Sequence, residues 1–447
     1  MRVLQVAHAL PPAAYGGTEL YTRDLAAALA RRGHEVAVAA ARGADERFEV
    51  ESGDAGDESE APDVDTFDLP SPDGESAPAV GGRPLDAVAR PAVDDRFRDV
   101  LADWEPDAVH LQHFKHLSAT IPALCAARGV ACVATLHDFW TVCHREQLYR
   151  PADRRCTGPE SVAKCTDCYR RARADAGRAG ADPDGTADSE AVARASDGGI
   201  SVGEADGSDA VDRVARRWGT LRDALAATDR LVAPSAFLRE TFARYAPPGA
   251  TVEHRRNGIR VDRFADAGFD PETPLRVGYA GRITERKGVH LLVAAAEQVE
   301  SADLRVFGAF DPETEPYHAR LADRAGESTA FRGWYADRPD PYREMDVLVL
   351  PSVWYENSPL VVQEAFASGV PVVTADVGGM AELVTDGEDG LTFPVGDADA
   401  LADRLRRLAR NPDLVADLRE GVSEPTRLDD HAGALADLYA DCVGRRA

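Results

Sequence analysis

The chain has 447 residues, 44% of them hydrophobic and 29% charged, with a formal net charge of −26. That length fits two domains, each able to bury a core of its own. The acidic balance argues against nucleic acid as a partner and against docking on anionic lipid by charge alone. No apolar run reaches the roughly 18 residues that a membrane-spanning helix needs.

Only three of the 51 basic residues are lysine, a balance that resembles salt-adapted proteins of halophiles. The start, MRVLQVAHAL, lacks the basic residues and small-residue cleavage site of an export signal and reads as a buried strand, which predicts a cytoplasmic location. Peripheral association with the inner face of a membrane is compatible with it. In such a compartment the seven cysteines suit metal ligation better than structural disulfides.

In chain order, residues 2–7 predict a first strand, followed by the loop HALPPAAYGG and an amphipathic helix over 18–32 with Leu20, Leu25 and Leu29 on one face. EVAVAA is the next strand, so the chain opens as a βαβ unit and predicts a parallel sheet. Residues 45–92 are acidic and rich in Gly, Pro and Ser, and predict irregular structure with one short strand at 66–69. Strand signals return at 108–111 and 130–136. Residues 171–210, with nine acids, four arginines and no aromatics, predict a poorly ordered insertion. A helix over 211–228, a strand at 230–234 and a helix to residue 245 complete a first domain, 1–247. A second doubly wound domain, 248–425, follows from strands at 275–280, 304–307, 347–350 and 371–374 with intervening helices. Residues 426–447 predict a helix that packs back on the first domain.

The strongest chemical signal is Pro351-Ser352-Val353-Trp354-Tyr355-Glu356-Asn357-Ser358-Pro359-Leu360-Val361-Val362-Gln363-Glu364-Ala365. A buried strand ends at Leu350 and a loop bearing Glu356 follows. Ser358 suits the cap of the next helix and Pro359 its first position. The free N–H groups at such a helix start form an anion site, which here includes Leu360 and Val361. Carboxylates on either side, Glu356 and Glu364, suit a ligand with hydroxyls flanking its phosphates, as in a nucleotide sugar. The second constellation is Gly278-Tyr279-Ala280-Gly281-Arg282-Ile283-Thr284-Glu285-Arg286-Lys287-Gly288, again between a strand and a helix. Arg282 can fork onto phosphate oxygens and Lys287 offers a compact charge, while Arg286 is expected to face solvent.

These two segments resemble retaining glycosyltransferases of family 4, which have the GT-B fold of two facing Rossmann-like domains. The resemblance implies that Glu364 holds the donor ribose, that Glu356 contacts the donor sugar, and that Arg282 and Lys287 hold its diphosphate. Tyr15-Gly16-Gly17-Thr18-Glu19 matches the family's first glycine loop, so Gly16 and Gly17 are expected against the donor phosphates. Thr135-Leu136-His137-Asp138 matches a strand end where the family carries a histidine near donor sugar and acceptor, which assigns that place to His137. Asp138 as a general base is the alternative, and would suit an inverting enzyme. Asn257-Gly258-Ile259 resembles the family's turn that shapes the cleft, and Trp334 is a candidate base contact.

Four cysteines, Cys143, Cys156, Cys165 and Cys168, form a C-x12-C-x8-C-x2-C cluster. Four thiolates suit a tetrahedral structural zinc that would staple a polar loop on the acceptor side. Free or redox thiols and disulfides are the other readings. His110, His113 and His116 have ligand-like spacing, but a loop lining the cleft is the reading favoured for them.

The reading is a hexosyltransferase-type reaction: a sugar moves from a nucleotide-diphosphate sugar to an acceptor hydroxyl with retention, and no cofactor is required. The acceptor classes left open are glycan, lipid-linked saccharide and small molecule. The alternatives are an epimerase or inverting transferase of the same plan, a non-catalytic binding protein, and a zinc-stapled scaffold.

Overall fold

The computed structural model of the chain describes residues 1–41, 64–70, 85–86, 88–151, 154–179, 207–270 and 274–446. Its strands are β1 (Arg2–Ala7), β2 (Glu35–Ala40), β3 (Asp65–Asp68), β4 (Ala108–Leu111), β5 (Ala131–Thr135), β6 (Tyr149–Arg150), β7 (Arg154–Arg155), β8 (Arg230–Ala233), β9 (Val252–His254), β10 (Leu275–Ala280), β11 (Ala302–Phe307), β12 (Thr329–Gly333), β13 (Val347–Leu350), β14 (Val372–Ala375) and β15 (Gly390–Phe393). They form a seven-stranded parallel sheet, β3-β2-β1-β4-β5-β8-β9, a six-stranded parallel sheet, β12-β11-β10-β13-β14-β15, and a small antiparallel pair, β6-β7.

Parallel neighbours need crossovers, and the helices of those crossovers cover both faces of each sheet. The central strands are accordingly buried throughout: AVHL of β4, ACVAT of β5 and VLVL of β13 are inaccessible at every position, with His110 and Thr135 the polar exceptions in otherwise apolar runs. Each fully buried Leu or Val side chain contributes about 1.5–3 kcal/mol. In both sheets the chain starts at a central strand, winds outward on one side, then returns to wind outward on the other. Crossovers therefore leave in opposite directions between β1 and β4, and again between β10 and β13. A crevice opens at the carboxyl ends of the strands at both places. This is the two-domain Rossmann-like GT-B arrangement.

The first sheet extends beyond residue 247, where the domain boundary was expected, because β9 pairs with β8. The chain leaves that sheet through Asn257–Gly258–Ile259. A Cβ on Gly258 would lie 2.7 Å from His431 Cβ and 2.8 Å from Leu428 Cα. Glycine lets this crossing pass close under the last helix, Leu428–Arg446. That helix returns to the first domain, where Leu428, Ala432, Leu435 and Tyr439 share a core with Val3, Leu25 and Leu29.

The insertion expected to be poorly ordered is helical at both ends. Helix Val162–Ala179 runs into it and helix Gly207–Ala226 begins before it closes, while residues 180–206 lie outside the described residues. Ion pairs one helical turn apart, Arg171 with Asp167 and Arg213 with Asp209, support these ends. In the acidic stretch 45–92, β3 and the start of helix Pro91–Trp104 are described, and most of the rest lies outside the described residues. No helix among the described residues is long and apolar enough to cross a membrane.

Candidate active site

The second domain supplies its half of the site from the two loops at the β10/β13 crevice. Glu356, 7% exposed, receives three donors on Oε1: Ser352 Oγ at 2.8 Å, Trp354 Nε1 at 3.0 Å and Lys287 Nζ at 2.6 Å. The two loops are locked together by Gly288, which has φ +71 and whose Cβ would lie 2.0 Å from the Pro351 carbonyl oxygen. Lys287 and Glu356, 69 residues apart, thus meet in one ion pair, with the ammonium also 5.7 Å from the Trp354 ring. Arg282 is exposed on the same β10 loop. Glu356 and Arg282 both bear on buried Tyr279, whose hydroxyl pKa burial and Glu356 push well up while Arg282 pulls it down. Arg286, expected to face solvent, is half-buried, and its carbonyl accepts from Val353 N–H.

The helix after the Glu356 loop starts one residue later than expected. Leu360–Ala367 is capped by Pro359, whose ψ of 121° is extended, so Pro359 stands before the helix and Ser358 is not its cap. Ser358 Oγ is instead buried without a hydrogen-bond partner, as is Asn357 Oδ1. Orphaned polar atoms of this kind beside a helix start suit a ligand that would complete them. Glu364, in the second turn, is 4% exposed. Its Oε2 accepts from the Tyr342 hydroxyl at 2.7 Å and its Oε1 accepts from Arg338.

The first domain supplies the facing half from the ends of β1, β4 and β5. Gly16 precedes helix Gly17–Arg31, and a Cβ there would collide with the Glu19 carboxylate at 2.3 Å. Gly17 lies against Leu360 of the other domain. Burial raises the Glu19 pKa, but the His8 contact at 2.9 Å overrides this and holds it at about 2. His137 Nε2 lies 3.0 Å from Gln112 Oε1, and burial, reinforced by His113, lowers its pKa to about 3, so the ring is neutral near neutrality. Asp138, the alternative base, accepts from Trp140 N–H at 2.8 Å and pairs with His113 Nε2 at 3.0 Å.

Direct contacts bring the halves together. Asn357 Nδ2 donates to the His137 carbonyl at 2.6 Å. Glu382 accepts from the N–H groups of Ala236 and Phe237, both at 3.1 Å, at the start of helix Ala236–Tyr245. Tyr15 and Trp334, both exposed, meet edge to face at 6.2 Å across the cleft. Glu356, Lys287, Glu364, His137, Gly16 and Gly17 therefore share one interdomain region, with Arg282 at its exposed margin.

Sequence reasoning missed Arg338, Asp24, Glu382 and His8. Ser352 and Trp354 stood inside the quoted motif, and their hydrogen-bonding side chains could have marked them as supports for Glu356. No local pattern identifies Arg338 or Glu382, because their partners lie far away in sequence.

The histidine triplet does not converge on one point. His110 bonds Tyr439 and Thr135, whereas His113 faces Asp138. All seven cysteines are free thiols in this structure. Among the described residues no group of three or more His, Cys, Asp or Glu side chains is arranged to hold a metal ion, so the zinc expectation gains no support from the arrangement as it stands. Cys143, Cys156, Cys165 and Cys168 nevertheless line one cavity with Val142, Leu148 and Tyr149. Burial pushes Cys143 to about 11 and Cys165 to about 12, which leaves little thiolate for redox chemistry.

Residues 15–164 match the family model described as Glycosyltransferase Family 4, and residues 274–411 match the one described as Glycosyl transferases group 1. The chain belongs to the family 4 glycosyltransferases of GT-B fold. It is 30% identical over 246 residues to a D-inositol 3-phosphate glycosyltransferase of Streptomyces bingchenggensis (strain BCW-1), which covers 48% of this chain and 54% of that one. It is 30% identical over 194 residues to a glycogen synthase of Mycobacterium tuberculosis (strain CDC 1551 / Oshkosh), covering 41% and 46% of the two chains. The chain spans about half the length of these curated relatives. Among solved structures, sucrose-phosphate synthase from Thermosynechococcus elongatus superposes with a TM-score of 0.66 at 20% identity, covering 99% of both chains. Anabaena HepE in complex with UDP and glucose gives a TM-score of 0.63 at 16% identity, covering 99% of this chain and 100% of that one. At those identities the two structures speak to the fold alone.

Proposed function

We propose that this family 4 glycosyltransferase moves a hexose from a nucleoside-diphosphate sugar to an acceptor hydroxyl, with retention at the anomeric carbon. The observation that carries the reading is the Lys287–Glu356 ion pair at the second domain's switch point, joined to the first domain by Asn357 on the His137 carbonyl, with Glu364 in the second turn of the helix that follows. Lys287, Arg282, the first-turn N–H groups of helix Leu360–Ala367 and the Ser358 hydroxyl would receive the diphosphate. Fixed positive charge then stabilises the negative charge that develops as the anomeric C–O bond breaks. Glu364 holds the ribose. Glu356, with Oε1 already oriented by three donors, presents its remaining acceptor capacity to the sugar hydroxyls. The acceptor oxygen bonds to the anomeric carbon on the same face, and its proton passes to the departing phosphate oxygen. No covalent enzyme intermediate and no cofactor enter the reaction, and the two domains exclude water from it.

One observation favours a second reading, an inverting transfer aided by a base. His8 Nε2 is held by Glu19, while its Nδ1 is buried without a hydrogen-bond partner. That ring nitrogen is an open acceptor, whereas both oxygens of Asp138 are already engaged. Proton NMR of the first-formed product decides between them. The first reading predicts the donor's anomeric configuration in the product, and the opposite configuration would overturn it in favour of the second.

The relatives' printed names differ in acceptor, from inositol phosphate to glycogen, so the acceptor stays open among glycans, lipid-linked saccharides and small molecules. The four-cysteine cavity we read as a structural zinc site that needs local side-chain adjustment. Sulfurs from three chain segments line it, Arg145 and Leu148 direct backbone N–H groups at Cys143, and Lys164 reaches Cys156. Native mass spectrometry is expected to show one zinc per chain, lost on denaturation and absent in Cys165→Ser. A metal-free native mass after zinc supplementation would end that reading.

A further inference from the structure

We propose that Arg338 is a positioning residue that ties the carboxylate of Glu364 to the first helix of the opposite domain, so that nucleotide affinity depends on Asp24, a residue behind the ligand site. The inference rests on the reading of Glu364 as the ribose-binding group.

Arg338 lies between β12 and the short helix Asp340–Arg343. Its Nε donates to Glu364 Oε1 at 3.0 Å, and Nη2 donates to the same oxygen. Its Nη1 donates to Asp24 Oδ2 at 3.2 Å, and Asp24 stands on helix Gly17–Arg31. The other oxygen of Asp24 accepts from Arg23 Nε at 3.0 Å and Nη2 at 2.9 Å. The Arg338, Asp24 and Glu364 side chains are 13%, 11% and 5% exposed, so the pairs are shielded from water.

A guanidinium is a planar, rigid fork. Placed between two carboxylates on different domains, it sets the distance between helix Gly17–Arg31 and helix Leu360–Ala367. The first of these helices begins at the glycine loop and the second at the proposed diphosphate site. Swinging the domains apart must either strip Arg338 from Asp24 or pull it off Glu364, and both leave a shielded charge without its partner. The fork also restricts Glu364 to the rotamer in which Tyr342 holds its second oxygen. Closure and ribose capture are thereby one coupled event: the closed cleft presents Glu364 correctly, and a ribose on Glu364 reinforces the closed cleft.

The test uses Asp24→Asn, which lies outside the donor-binding residues and is close to isosteric, together with Asp24→Glu, Arg338→Gln and the double variant Asp24→Asn/Arg338→Gln. UDP and GDP are titrated into each by calorimetry, and hydrogen exchange is followed in the ligand-free proteins. Asp24→Asn is expected to weaken the nucleotide that binds the natural chain by about tenfold, with Asp24→Glu recovering part of it and the double variant no weaker than the worse single one. Exchange is expected to quicken in residues 17–31 and 334–343. Unchanged affinity and unchanged exchange in Asp24→Asn would overturn the coupling. If neither nucleotide binds the natural chain, unchanged exchange alone overturns it. Normal affinity in Glu364→Gln beside a weakened Asp24→Asn would instead refute the ribose assignment and leave the interdomain tie standing.

Discussion

Lys287→Ala is expected to cut transfer from the nucleotide sugar by about a hundredfold to a thousandfold, the range seen when one preorganised stabilising group is removed from a developing negative charge. The ammonium does two things in this structure. It is the compact cation of the β10 loop at the crevice, and it is one of three donors that orient Glu356. Alanine removes the charge from the diphosphate site and leaves Ser352 and Trp354 to hold the carboxylate. Alanine also leaves the buried Glu356 carboxylate without its cation, so the melting temperature is expected to fall as well, and kinetics are compared at a temperature where the variant is folded. Lys287→Arg keeps the charge but replaces a point donor with a broad fork, and should recover activity only in part. Steady-state kinetics with the natural donor checks this, and unchanged kcat and KM in Lys287→Ala would remove the diphosphate assignment.

Glu364→Gln is expected to weaken nucleoside diphosphate binding by about tenfold to a hundredfold, the worth of charge-assisted hydrogen bonds of about 1.5–3 kcal/mol. The amide keeps the shape of the carboxylate and can still accept from Tyr342, but it withdraws the negative charge that Arg338 and the ribose hydroxyls share. Truncation to alanine is the less informative change, since it would leave the Arg338 guanidinium buried without its main partner and destabilise the protein directly. Calorimetric titration with UDP and GDP gives the comparison. The loss should fall on the nucleotide itself and be as large for the nucleoside diphosphate as for the full donor. A normal affinity for both would refute the ribose role.

Most of the fold was readable because parallel strands buried on both faces are continuous apolar runs. RVLQVA, AVHL and VLVL each announced a central strand, and the alternation with amphipathic helices announced two doubly wound sheets. The outer strand β15, GLTF, is not legible, because glycine and threonine break the unbroken apolar run that marks VLVL. β9 is not legible either: Pro247 and Gly249 mark a turn, and nothing in VEH says that a strand follows or which sheet it joins. The helical ends of the acidic insertion were hidden by composition, since many acids and arginines look solvated until their spacing lets them pair along a helix.

At the site, the segments that follow β10 and β13 carried their chemistry in local spacing, so Lys287, Glu356 and Glu364 could be named from sequence. The pairing of Lys287 with Glu356 could not, because it depends on Gly288 letting two loops touch. Ser358 stands one residue before the cap, because serine before proline fits a helix start equally well in either register. Arg338, Asp24 and Glu382 act across the domain interface, and such contacts leave no periodic trace in a single sequence.

The most direct test is an experimental structure of the chain with a bound nucleoside diphosphate. The phosphates should lie between Lys287, Arg282 and the first turn of helix Leu360–Ala367, with the ribose hydroxyls on Glu364 and Glu356 facing the empty sugar position. A nucleotide bound elsewhere, or one bound here with its phosphates turned away from Lys287, would contradict the account.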